Sequence, residues 1–158
     1  MKTISIPLGK RSYPIWVQQG LLKKTTDLLK PMNMGNKWFI ITQDKIKTLY
    51  GNELQKKLKN SGFNVKILSI PNGEKTKSLK EFENLHQQLL KFNCDRKSIL
   101  LALGGGVVGD ITGFVASTFM RGIEYIQIPT TLLAMIDSSI GGKTGVNLNL
   151  GKNLIGAF

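Results

Sequence analysis

Residues 98–110 read SILLALGGGVVGD. SILLAL is a short, continuously apolar run. A strand buried on both faces in the middle of a parallel sheet needs that composition. It leads through three glycines into ITGFVASTFM, so Gly104, Gly106 and Gly109 fit G-x-G-x-x-G at a strand-to-helix turn. Glycines there let backbone N–H groups approach a pyrophosphate, and the following helix presents its positive end to it. The acidic residue that holds ribose in a Rossmann site, about 20 residues further on, is missing. Asp110 sits at the start of the helix, where a cap and a ligand contact are both open readings.

Outward from this turn, strands and helices alternate. WFIIT (38–42), FNVKILSI (63–70) and EYIQIP (124–129) have strand composition. A helix is predicted over about 45–60, closed by Asn60-Ser61-Gly62. Ser78-Leu79-Lys80-Glu81 is a capping box opening a second helix, with Leu79, Phe82, Leu85 and Leu89 on one face. TTLLAMIDSS (130–139) is predicted to be the last helix. Ahead of these lie TISIPL (3–8) and YPIWVQ (13–18), read as strands, and GLLKKTTDLLK, a helix stopped by Pro31. The pattern predicts an α/β, Rossmann-like domain over 1–158, with a largely parallel sheet flanked by helices. KNLIGAF at the end is apolar and uncapped, and reads as the point where a second domain begins.

The 158 residues, 41% hydrophobic and 20% charged, suit a soluble globular domain with a real core. No apolar run approaches the roughly 18 residues of a membrane helix, and MKTISIPLGKR lacks the apolar stretch of a signal peptide. The single cysteine, Cys94, excludes an internal disulfide, agrees with a cytoplasmic setting and reads as a structural thiol. The net charge of +12 raises the possibility of a basic nucleic-acid module. The lysines, however, are spread over polar helix faces such as KIKTLYGNELQKKLKN, without a dense block or interleaved aromatics. A lysine-rich solvated surface is the preferred reading, and its positive field helps attract a phosphorylated small molecule. Arginine occurs only at Arg11, Arg96 and Arg121.

Polar chemistry concentrates in the last third. Gly142-Lys143-Thr144 ends like a P-loop, but the glycine required five positions before the last one is Asp137 here. Asp137, Lys143, Asn147, Lys152 and Asn153 instead share a glycine-rich segment suited to a polyhydroxylated ligand. Asn72-Gly73-Glu74-Lys75-Thr76-Lys77 follows a strand, where a parallel sheet carries its ligands. Glu74 can accept from a ribose hydroxyl and Lys77 can meet a phosphate; alone, the segment is a polar turn. Arg121 offers a planar fork for phosphate or carboxylate, with a surface salt bridge as the alternative.

PNGEKTKSL, LALGGGVVGDITGFVASTFMRGI, IPTTLLAMIDSSIGGKTGVN and GKNLIGAF together resemble the 3-dehydroquinate synthases of the sugar-phosphate cyclase superfamily. They cover nearly all of 71–158 in order. The resemblance implies the N-terminal, NAD-binding half of a homodimeric lyase of the shikimate pathway, inactive without its other half. It implies NAD contacts from Asn72, Gly73, Glu74, Lys77, Gly105, Gly106, Val107, Gly109, Asp110, Thr130, Thr131, Lys143 and Lys152. Arg121, Asp137, Lys143 and Asn153 would meet the sugar phosphate, with Asp137 and Lys143 catalytic and Arg121 reaching into a neighbouring subunit. The adenosine-ribose contact falls at Gln43 or Asp44. A zinc or cobalt ion would be held by a glutamate and two histidines beyond Phe158; His86 reads as a surface residue. A related cyclase, such as 2-deoxy-scyllo-inosose synthase, is the alternative within the superfamily. No nucleic acid and no membrane are expected as partners.

Overall fold

The computed structural model describes residues 1–9, 12–32 and 34–158; Lys10, Arg11 and Asn33 lie outside the described residues. The chain forms two compact units, Met1–Asn33 and Met34–Phe158. In the first, β1 (Lys2–Ile6) and β2 (Tyr13–Val17) pair antiparallel, with Ile4 opposite Ile15. A 3₁₀ turn, a five-residue helix α1 (Thr25–Leu29) and a second 3₁₀ turn, Lys30–Met32, follow. Pro31 sits in that last turn, where a missing N–H costs little.

The second unit is built on a four-stranded parallel sheet. Its strands are β3 (Trp38–Gln43), β4 (Val65–Ile70), β5 (Ile99–Gly104) and β6 (Glu124–Pro129), in the order β4-β3-β5-β6. β3 and β5 occupy the centre, and both are buried almost throughout. This is why WFIIT and SILLAL carry no polar alternation. Helices α2 (Asp44–Ile46) and α3 (Asn52–Asn60) link β3 to β4, α4 (Leu79–Lys91) links β4 to β5, and α5 (Gly106–Thr118) links β5 to β6.

Phe39, Ile41, Leu68, Ile70, Leu100 and Ala102 form one face of the core with Leu85 and Leu89 of α4 and Ile111 and Val115 of α5. Each of these side chains except Ala102 contributes roughly 1.5–3 kcal/mol when taken out of water. Ser78 accepts a hydrogen bond from the Glu81 amide, so the expected cap of α4 forms. On that helix Phe82, Leu85 and Leu89 turn inward, but Leu79 is exposed because the first turn lies beyond the core.

The structure refines other expectations. The helix over 45–60 begins at Asp44 and carries a π-type turn at Lys47–Gly51 before α3. The stretch 130–139 is not a regular helix. Its core is a π-type turn, Ala134–Ser138, with Ala134 buried and Leu132, Leu133 and Ile136 exposed. KNLIGAF lies in a strand: β7 (Thr144–Leu148) and β8 (Gly151–Ala157) form an antiparallel hairpin whose Val146 joins the core.

His86 is not a free surface group either. Its ring packs on Phe82 and Phe119 and bonds the Phe82 carbonyl at 2.8 Å and Thr118 Oγ1 at 3.1 Å. Cys94 is buried, and burial pushes its thiol up from the ordinary value, as a structural thiol requires.

Candidate functional site

The strand order reverses between β3 and β5, and the carboxyl ends of these two strands are the switch point where open α/β sheets take ligands. Thr42 Oγ1 ties them together by donating to the Leu103 carbonyl at 2.7 Å. The chain then turns sharply into α5. A Cβ at Gly104 would lie 2.5 Å from Val108 Cγ2, so only glycine lets strand and helix approach this closely. Gly105 is the N-cap residue and offers no side-chain acceptor to the first-turn amides. A Cβ at Gly105 would meet Thr131, and one at Gly106 would meet Ser138 at 3.4 Å, so the turn faces these two hydroxyl side chains across bare backbone. A Cβ at Gly109 would lie 2.7 Å from the Gln127 side chain of β6, the close packing expected of the third glycine.

Around this turn the structure gathers residues from three distant segments. Lys77 is 4% exposed; its ammonium pairs with the Asp110 carboxylate and donates to Asn153 Oδ1. The capping reading of Asp110 is corrected: Gly105 is the N-cap, and Asp110, inside the helix, is the counter-ion of a buried lysine. Burial pushes its carboxyl up from the ordinary value, against the hydrogen bond and charge of Lys77, while the Glu74 and Asp137 carboxylates push it further up. Glu74 accepts from Asn147 Nδ2 at 2.9 Å, and Asn147 Oδ1 accepts from the Asn153 amide at 2.9 Å.

The loop between β4 and α4 is shaped for this. Gly73, at φ 99°, makes a turn that other residues resist, and Thr76 Oγ1 closes it by donating to the Pro71 carbonyl at 2.9 Å. Gln43 donates to the same carbonyl at 3.2 Å, and Asn72 accepts from the Lys45 amide at 3.4 Å. The two positions suggested for adenosine ribose, Gln43 and Asp44, thus stand beside the 71–77 loop.

Thr130 donates its amide to the Gly104 carbonyl at 2.9 Å, and Thr131 Oγ1 accepts from the Ala134 amide at 3.2 Å. Thr130 Oγ1 and Ser138 Oγ are buried without a hydrogen-bond partner among the described residues. Sequence reasoning missed Ser138. The signal was faint: one serine in DSSIGGKT, beside the charged groups that drew attention.

Arg121, Asp137, Lys143 and Lys152 are exposed and, among the described residues, take part in no ion pair. The salt bridge weighed for Arg121 therefore has no acidic partner here. Arg121 lies in a turn with Met120 at φ 49°, its own φ at 71° and Gly122 at φ 120°. Gly142-Lys143-Thr144 enters β7 and does not open a helix, which agrees with setting the P-loop aside. Among the described residues no three His, Cys, Asp or Glu side chains cluster to hold a metal ion.

The comparisons with known proteins agree with this geometry. Curated 3-dehydroquinate synthases from Desulforamulus reducens and Clostridium acetobutylicum are 48% and 45% identical over the whole chain. The chain spans 44% of the length of each of these relatives. A solved 2-deoxy-scyllo-inosose synthase in complex with carbaglucose-6-phosphate, NAD+ and Co2+ superposes with a TM-score of 0.90 at 27% identity, covering 99% of this chain and 43% of that one. The 2-epi-5-epi-valiolone synthase of Streptomyces hygroscopicus, solved with NAD+ and Zn2+, gives 0.82 at 32% identity, covering 96% and 42%. The family model for the N-terminal part of 3-dehydroquinate synthase matches residues 67–158, which include the glycine turn, the Lys77–Asp110 pair and the closing hairpin. By that match, the chain belongs to the 3-dehydroquinate synthase family.

Proposed function

We propose that this chain is the NAD-binding domain of a 3-dehydroquinate synthase, spanning 1–158. The whole enzyme would convert 3-deoxy-arabino-heptulosonate 7-phosphate to 3-dehydroquinate and phosphate, in the cytoplasm and as a homodimer. The observation that carries this reading is the uncapped glycine turn at α5, faced by unpartnered hydroxyls and flanked by the buried Lys77–Asp110 pair. These residues fit a dinucleotide: bare amides for a pyrophosphate, spare hydroxyls for phosphate oxygens, and carboxylates for ribose hydroxyls.

When bound, NAD would supply a hydride acceptor that, once reduced, can return the hydride. The backbone at Gly105, Gly106, Val107 and Gly109, together with Thr130 and Thr131, would hold the pyrophosphate. Asn72, Gly73 and Glu74 take the ribose edge. Lys77 and Asp110 fix the charge beside it, and Lys143 and Lys152 add cations from the hairpin side. Asp137 accepts from a substrate hydroxyl, Lys143 donates to a substrate oxygen, and Asn153 offers its amide. Exposed Arg121 is available to a phosphate bound in a neighbouring subunit. The zinc or cobalt that the resemblance implies finds no ligand set among the described residues, so no step is derived through it.

Titration of the chain with oxidised NAD, followed by amide shifts at 104–110, tests the cofactor role. Binding that leaves this turn unperturbed sinks it. Turnover by the isolated chain would refute the proposed dependence on a second half. Assay of a relative-length protein with heptulosonate phosphate against glucose 6-phosphate separates dehydroquinate formation from inosose formation. A gel shift at physiological salt should show no nucleic-acid complex.

A further inference from the structure

The β7–β8 hairpin is irregular at one place. Val146 pairs with Ile155 and Leu148 pairs with Gly151, so Asn147 alone opposes residues 152–154. Such bulges re-aim a side chain and release its backbone from the ladder. Asn147 does both. Its amide leaves β8 and donates to the Lys77 carbonyl at 2.9 Å, making a parallel bridge with Ser78. Its side chain uses both ends: Nδ2 donates to Glu74 Oε1 and Oδ1 accepts from the Asn153 amide, each at 2.9 Å. Asn153 stands at φ 56°, a left-handed conformation that asparagine tolerates better than most residues but that needs holding.

We propose that Asn147 is a positioning residue that sets Glu74 and Asn153 in one fixed relation. Resting on the reading above, it makes the ribose-side carboxylate and the substrate-side amide a single unit. Neither can shift without breaking a bond to Asn147. Asparagine suits the post because it donates to a carboxylate and accepts from an amide at once; aspartate keeps only the second function.

Two measurements on the chain test this. Without ligand, Asn147→Ala should raise the hydrogen-exchange rate of the Asn153 amide about tenfold, whereas Asn147→Asp should leave it near wild type. With NAD as the probe, Asn147→Asp should weaken binding about tenfold or more, because a second carboxylate then faces Glu74. Adding Glu74→Gln to Asn147→Asp reverses donor and acceptor, and should bring affinity back to within about threefold of Glu74→Gln alone. A residue that merely supports folding would not show this inversion. Unchanged Asn153 exchange in Asn147→Ala overturns the proposal, as does NAD affinity indifferent to Asn147→Asp. If the wild-type chain ignores NAD, the cofactor reading falls, and the exchange measurement alone decides the positioning role.

Discussion

The two ends of the parallel sheet each carry a lysine–aspartate pair, and the pairs differ in almost every respect. At the amino end Lys37, just before β3, meets Asp95, just before β5, at 3.2 Å, with 33% and 46% of the two side chains exposed. Asp95 also accepts from the Lys97 amide and the Ser98 hydroxyl, so it caps a turn. At the carboxyl end Lys77 and Asp110 are only 5% and 18% exposed; both lysines serve a third residue, Lys37 the Asn93 carbonyl and Lys77 the Asn153 side chain. One pair trims a solvated turn. The other holds two charges out of water at the switch point, an expense unnecessary for folding alone.

The largest difference should come from deleting the two lysines. Lys77→Met strands a buried carboxylate and an amide, so we expect a loss of about 3–5 kcal/mol, read from denaturant midpoints, and no detectable NAD binding. Lys37→Met should cost less than about 1 kcal/mol and leave NAD binding intact. Equal losses would erase the distinction. Next, Gly104→Ala forces a Cβ into Val108 and should cost about 1–3 kcal/mol, with NAD binding falling more than stability alone explains.

The pH response sharpens the same contrast, because the two aspartates have opposite signs. Lys37, by hydrogen bonding, holds the Asp95 carboxyl below the ordinary 3.8. Its contribution is therefore present above that value and lost as pH falls through the lowered folded pKa. Asp110 titrates above 3.8 in the folded chain. Its contribution is full below 3.8 and is lost as pH rises through the raised folded pKa. Urea midpoints across the acid range should show Asp110→Asn abolishing a fall in stability with rising pH, and Asp95→Asn abolishing a rise. Matching slopes in both variants would contradict this assignment.

The smallest effect should be at Ser138, whose hydroxyl is buried without a partner. Ser138→Ala should change stability by under about 1 kcal/mol, in either direction, while weakening NAD binding several-fold. Unaltered binding would make the hydroxyl incidental to the site.

Much of this is legible in the sequence. β5 and the glycine turn announce themselves by composition, since a doubly buried strand cannot hide polar residues and a close helix approach cannot hide a Cβ. The Ser78–Glu81 cap is local, and local hydrogen bonds leave local signatures. In 130–139 the apolar spacing signalled the helical winding but not its π-type turn, and of Leu132, Leu133, Ala134 and Ile136 only Ala134 is buried. The hairpin was missed because glycine and asparagine weaken the alternation that marks a strand.

By itself the sequence determined the α/β order, the buried strands, the glycine turn and the family, all written in runs of neighbouring residues. Only the tertiary structure decided that Lys77 would find Asp110, 33 residues away, and Asn153, 76 residues away, and that Asn147 would leave its own strand to join them. Polar pairing over such distances follows no period along the chain. It is fixed by where the sheet brings its loops together, and by the cost of leaving a buried charge alone.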